Sequence, residues 1–166
     1  MGSSAKPRKK YRPKPVLVNP VGYVLESLMP VRNHDFDMVA LKIKNSEAMV
    51  ALLQGRAKKP DMNILIAMSN IVEALWGLGF GGEFKDVSIH GKTALLSIVQ
   101  RATTHGRFTP TGVEIKMLNE LMELHDAQME VITVKDMEKA VAVVRKRLSS
   151  DKHTVKLPTV PDHLKE

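Results

Sequence analysis

Apolar residues recur at helical intervals along most of the chain, and one stretch is apolar over most of a helix circumference. In PDMNILIAMSNIVEALWGLGFGG, residues 60–82, a rotation of about 100° per residue gathers Asn63, Asn70, Glu73 and Gly77 on one narrow side. Met62, Leu65, Met68, Ile71, Val72, Leu75, Trp76 and Leu78 cover the remainder. Such a helix has to be surrounded by other elements, so residues 61–78 are expected at the centre of the fold.

The flanking segments read as amphipathic helices. Asn19 and Pro20 supply a cap and a first-turn proline for a short helix that Pro30 halts, with Tyr23, Val24 and Leu28 on one face. His34 to Gln54 has Asp35 as a candidate cap and Phe36, Val39, Ala40, Ile43, Val50 and Leu53 among its apolar positions. Asn45 and Ser46 compete locally for backbone hydrogen bonds and are expected to break it, and Gly55 ends it. Residues 83–104 place Phe84, Val87, Leu95, Ile98 and Ala102 on one face, with Gly91 inside that face where a second helix can cross closely. Thr111 and Glu114 form a capping box for a helix running to about Val131, whose apolar positions include Met117, Leu118, Leu121, Met122, Leu124 and Met129. Thr133 and Asp136 open the last helix, where Met137, Val141, Val144 and Leu148 make a seam and Arg145, Lys146 and Arg147 meet the negative end of the dipole. The expectation is an all-α, single-domain bundle of about five helices around a central apolar helix over residues 16–148. A mobile basic arm precedes it at 1–15 and a flexible tail follows at 149–166.

Composition narrows the chemistry. A chain of 166 residues with 43% hydrophobic content can build one core. It has no cysteine, which excludes disulfides, thiolate metal sites and thiol nucleophiles. The longest apolar run is interrupted by Asn63, Ser69, Asn70 and Glu73 and is too polar to span a membrane. The basic N-terminus runs into Pro13 and Pro15 rather than an apolar stretch, so it does not read as a signal peptide. A soluble, cytoplasmic protein is expected.

The net charge of +7 is unevenly distributed. Residues 1–15 carry Lys6, Arg8, Lys9, Lys10, Arg12 and Lys14 with no acid, whereas 16–148 hold 16 bases and 15 acids and the tail is neutral. With three prolines and nothing to bury, the arm suits phosphate contacts, with Tyr11 available to stack on a base. Arg56, Lys58 and Lys59, in the loop before the central helix, extend that footprint. The competing reading is a tail that only solubilises.

Other motifs dissolve on inspection. Ala51 and Gly55 have helix-turn-helix spacing, but Asp61 stands where an apolar residue is wanted and Pro60 falls in the would-be recognition helix. GLGFGGEF holds four glycines, yet no Gly-Lys-Ser/Thr follows and no βαβ unit surrounds it. Those glycines read as a left-handed end to the central helix. His34, Asp35 and Asp37 read as helix-start residues rather than cation ligands. His125 lies on the apolar face, four residues from both Leu121 and Met129, but the bundle di-metal pattern wants Glu where Met122 stands. It is expected to be a core or interface histidine satisfied by a neighbouring carbonyl or carboxylate. Glu120, Glu123 and Glu130 line the same helix as a solvated acidic stripe. No paired carboxylate, nucleophile-base set or metal spacing is present, so no catalytic activity, metal or cofactor is expected.

The segments LMELHDAQMEVITVKDMEKA, LWGLGFGGEF and KPRKKYRPKPV together resemble small basic helical proteins encoded in bacterial prophage and related mobile-element regions. The likeness runs from about Lys6 to Arg147. It implies a phage-associated setting and carries over no functional residue, because that group has no assigned activity. The expected function is a non-catalytic accessory or regulatory protein that touches DNA or RNA through its basic arm, with a helical body that oligomerises or binds a protein partner. The alternative is a module that binds and modulates a host protein without nucleic acid.

Overall fold

The computed structural model describes residues 28–31 and 35–150. Five helices carry them: α1 Asp35–Leu53, α2 Lys59–Gly77, α3 Lys85–His105, α4 Gly112–Val131 and α5 Val134–Ser149, with one 3-10 turn at Gly82–Phe84 before α3. The basic arm, most of the short helix expected before Pro30 and the tail from Asp151 onward lie outside the described residues. The fold is the expected all-α bundle, and α2 is its centre, packed against α1, α3, α4 and α5. Among the described residues, no helix is long and apolar enough to cross a membrane.

Polar contacts set the helix directions. Glu73 meets Lys92, and Arg101 meets Glu114, so α3 runs antiparallel to both α2 and α4. Consequently α2 and α4 are parallel, and Gln128 Nε2 donates across to the Val72 carbonyl at 3.3 Å. The main core joins Leu52, Met62, Leu65, Leu95, Ile98, Phe108, Leu118 and Leu121. A second core of Val31, Ala74, Leu75, Met129, Ile132 and Ala140 seats α5 across the C-terminal end of α2. Arg147 Nη1 there reaches Glu73 Oε1 at 3.1 Å. Residues 29–31 are pinned beside the α4–α5 junction by Val31 N–H to Ile132 O at 3.0 Å and Val134 N–H to Met29 O at 3.1 Å.

Local rules explain the boundaries. Thr111 and Thr133 cap α4 and α5, each with its reciprocal acid, Glu114 and Asp136. Gly79 and Gly81 take φ of 100° and 78°, which turns the chain after α2. At Gly91 a Cβ would stand 2.7 Å from Leu121 Cδ2, so the glycine is where α3 and α4 approach most closely.

Three expectations are corrected. First, α1 is continuous through Asn45 and Ser46, and Asn45 is buried against the bundle. Its inward face is Asn45, Ala48, Met49, Ala51 and Leu52, so Val39, Ile43, Val50 and Leu53 point away from the core. The helix is apolar on two faces, and it seats the one with the small alanines against α2. Second, Phe84 and Leu148 are about half exposed, because Phe84 belongs to the turn before α3 and the inner side of α5 centres on Ala140. Third, His125 is buried as expected but unsatisfied: its Nδ1 makes no hydrogen bond, and the nearest carboxylate oxygen, Asp126 Oδ1, is 3.5 Å away. Three residues before Gln128 and Val72 on the two parallel helices stand His125 and Ser69, and the Ser69 hydroxyl is also buried without a partner.

Burial pushes the His125 pKa below its ordinary 6.5, and the opposing pull of Asp126 is weaker. The unfolded chain therefore takes up this proton first. Stability is full above about 6.5 and falls as pH drops below it, with a slope of up to about 1.4 kcal/mol per pH unit until the folded-state pKa is reached. Urea midpoints for the wild type should decline between pH 7.5 and 5.5, whereas His125→Gln should flatten that interval; parallel curves would remove His125 as the cause.

Candidate nucleic-acid interface

Short connections between antiparallel helices put loops 54–58 and 106–111 at one end of the bundle and 78–84 and 132–133 at the other. The first two loops share a construction. Helix α1 ends on Gly55 at φ 68°, with Gly55 N–H to Leu52 O at 3.1 Å and Arg56 N–H to Ala51 O at 3.0 Å. Helix α3 ends on Gly106 at φ 69°, with its N–H to Ala102 O at 2.8 Å. Each left-handed glycine hands the chain to an arginine, Arg56 or Arg107, and each loop is anchored by a buried apolar residue, Ala57 or Phe108. Both arginines are exposed.

The rest of this end is organised by two acids that are already occupied. Asp61 Oδ2 accepts from the Lys58 backbone N–H at 2.8 Å, capping α2 behind Pro60. Glu114 accepts from the Thr111 backbone N–H at 2.7 Å and from Arg101. Burial alone would raise the Glu114 carboxyl, but the bonds from Arg101 and Thr111 outweigh it and hold the pKa below the usual value. Arg101 also donates to Thr109 O at 2.8 Å, so its guanidinium serves the loop from inside. Arg56, Lys58, Lys59 and Arg107 form no ion pair with any described residue. Of these four, Arg107 borders an open groove of about 510 Å³, lined also by Arg101, His105, Thr109, Pro110 and Thr111.

Charge is polarised along the bundle. Residues 50–62 and 98–118 hold six lysines and arginines against two acids. At the other end, residues 71–89 and 120–133 hold seven acids and one lysine, partly offset where α5 lays Arg145, Lys146 and Arg147 nearby. Two helices begin at this end and two end there, so their dipoles largely offset one another and the side chains carry the polarity.

Of the residues singled out from sequence, Arg56 and Lys58 are exposed, Lys59 is half-buried, and all three stand at this end. Lys6, Arg8, Lys9, Lys10, Tyr11, Arg12 and Lys14 lie outside the described residues. His105 and Arg107 were not anticipated. Their signal was the repeated Gly-Arg pair at 55–56 and 106–107, which acquires meaning only once the helix directions place both loops together.

A second concavity of about 280 Å³ lies between α2 and α3, lined by Trp76, Ile89 and Leu96 with Lys85 over the Trp76 ring at 5.3 Å. Glu73 on its wall is held by Lys92 and Arg147. Among the described residues, no group of three or more His, Asp or Glu side chains could hold a metal ion. Comparison with protein-family models, curated proteins and solved structures finds no match to this chain.

Proposed function

We propose that this chain is a non-catalytic accessory protein that binds nucleic acid through phosphate contacts, using the basic end of its bundle together with the basic arm. The observation that carries this reading is a set of four cations with no ion-pair partner among the described residues, Arg56, Lys58, Lys59 and Arg107, brought to one end by two loops that each open on a left-handed glycine followed by an arginine; Arg56 donates only to the neutral Gln54 side chain. Cations already paired with acids would have to give up those partners; these would not. The acidic opposite end repels a polyanion and so orients its approach. Contacts of lysine and arginine with phosphates supply affinity and position rather than sequence choice. The resemblance of its segments to prophage-encoded basic proteins is the reason a phage-associated setting forms part of this proposal.

The test is binding to labelled duplex and single-stranded DNA and RNA across a salt series. Three chains are compared: the full chain, one beginning at Val16, and the full chain with Arg56, Lys58, Lys59 and Arg107 all changed to alanine. With six arm charges engaged, log affinity on duplex falls with log salt at a slope approaching about −5 from the arm alone. The four loop cations add up to about −3.5 more. Each altered chain should lose its own share of the slope. Equal, weak and salt-insensitive binding by all three would sink the proposal and favour the protein-interaction reading, in which the arm only solubilises.

A further inference from the structure

The face of α1 that turns away from the bundle has a spacing of its own. Val39, Ile43, Val50 and Leu53 are 54%, 51%, 42% and 47% exposed, with the exposed Ser46 between the two pairs. The intervals along 39, 43, 46, 50 and 53 are four, three, four and three, which is the a/d alternation of a heptad seam. Ile43 and Val50 take the a positions; Val39, Ser46 and Leu53 take the d positions. Of the buried residues, Asn45, Ala48, Ala51 and Leu52 fall at b, c and f, on the opposite side, and Met49 falls at g, on the border between the two faces. One helix thus carries two apolar surfaces, and only one is used within the described chain.

The geometry points to a second copy of this chain as the occupant, with the two α1 helices side by side and parallel about a two-fold axis. Two observations select that occupant and that direction. The seam is self-complementary: in register, a meets a and d meets d, and Ile43 and Val50 at a with Leu53 at d match the residue choice of a two-stranded parallel pair over its C-terminal heptad. The flanking charges agree. Lys42 stands at g and Glu47 at the following e, the pair that faces across a parallel two-stranded seam, and the two-fold axis makes the contact twice. An antiparallel pair centred on Ser46 would bring Glu47 against its own counterpart. Among the described residues, the ion-pair partner of Lys42 is Glu130 at 3.5 Å, in an exposed contact that is readily exchanged.

This inference stands independently of nucleic-acid binding, although the two would reinforce each other. Helix α1 ends at the basic end of the bundle, so a parallel pair sets two basic ends side by side. Two such ends reach one nucleic acid as a bivalent surface, with an avidity that a monomer lacks.

Sedimentation of the full chain without nucleic acid tests it. The wild type should run at twice 18.5 kDa at about 100 μM and dissociate on dilution, as befits a short seam. Ile43→Glu should weaken the dimer about 100-fold or more while leaving the helical circular dichroism and the melting temperature intact, because the side chain is half exposed. Glu47→Lys alone should weaken it several-fold, and adding Lys42→Glu should restore most of the loss. The absence of cysteine makes cross-linking free of background. Leu53→Cys should oxidise to a covalent dimer, whereas Val113→Cys, an exposed position on α4, should not. A wild type that stays monomeric at that concentration overturns the proposal and leaves the seam to a different protein. A cross-link that forms only between Val39→Cys and Leu53→Cys chains overturns the parallel arrangement.

Discussion

Gly91→Val should destabilise the fold by about 3 kcal/mol, the upper part of the range for overpacking a core, and lower the melting temperature by roughly 10 °C. The cause is local and specific. A Cβ on residue 91 would meet Leu121 Cδ2 at 2.7 Å, Cβ at 2.8 Å and Cγ at 3.0 Å. The delta methyl could swing aside, but the Leu121 Cβ is fixed to the α4 backbone, so the two helices must separate. A gap of half an ångström or more forfeits a quarter to a half of each contact's dispersion energy. That loss would spread to Leu95, Ile98, Leu118 and Leu124, which line the same junction. Gly91→Ala should be milder, because the gain in helix propensity of about 1 kcal/mol offsets part of the clash. Leu121→Ala should cost less in the Gly91→Ala background than in the wild type, since removing Cγ and Cδ2 relieves two of the three close contacts. Urea unfolding of the four chains gives the coupling; additive effects would mean that the helices do not meet at this point.

The same junction shows how much of the fold was legible in the sequence. Gly91 could be placed on the inner face because a residue without a side chain among Val87, Leu95 and Ile98 implies a close neighbour. The central helix was legible because its polar side is too narrow for a surface position, and the α4 and α5 starts because Thr111 with Glu114, and Thr133 with Asp136, have only one common use. The inward face of α1 was not. Hydrophobic size favoured Val39, Ile43, Val50 and Leu53, but what decides burial against α2 is how closely two backbones can approach, and Ala48 and Ala51 allow the closer contact. A sequence with apolar residues on two faces does not say which one belongs to its own core. The basic end was legible only by halves: the run Arg56-Ala57-Lys58-Lys59 stands out as a basic loop, but Arg107 joins it through the up-down path of four helices, which no local pattern encodes. His125 was read as a core residue from its spacing, and its lack of a hydrogen bond at Nδ1 depends on neighbours from other helices.

Gln128 is the other position where a single change should have a large effect, and no pattern along the chain marks it out. It is buried on α4, and its Nε2 donates to Phe80 O at 2.9 Å and to Val72 O at 3.3 Å. Val72 belongs to α2 and Phe80 to the connection after it, so one amide ties α4 to the end of the central helix and to the turn into α3. Gly81 completes the fit. It holds a φ of +78°, and a Cβ there would stand 3.6 Å from Gln128 Nε2 and 3.3 Å from Leu124 Cδ1, so the turn lies close against α4. Gln128→Met keeps nearly the same volume and removes the amide. It should cost about 2 kcal/mol, the range expected when an interior acceptor loses its partner. The loss is tempered because the Gln128 Oε1, buried without a partner of its own, is removed by the same change. Gln128→Ala should cost about 1–2 kcal/mol more, because a cavity is added to the missing bonds. Hydrogen exchange separates this role from general packing. In Gln128→Met the amides of residues 78–84 should lose protection selectively, while those of α3 and α4 near Gly91 keep it relative to the new global stability. Uniform loss across all helices would mean that the amide stabilises the core at large rather than the turn it touches.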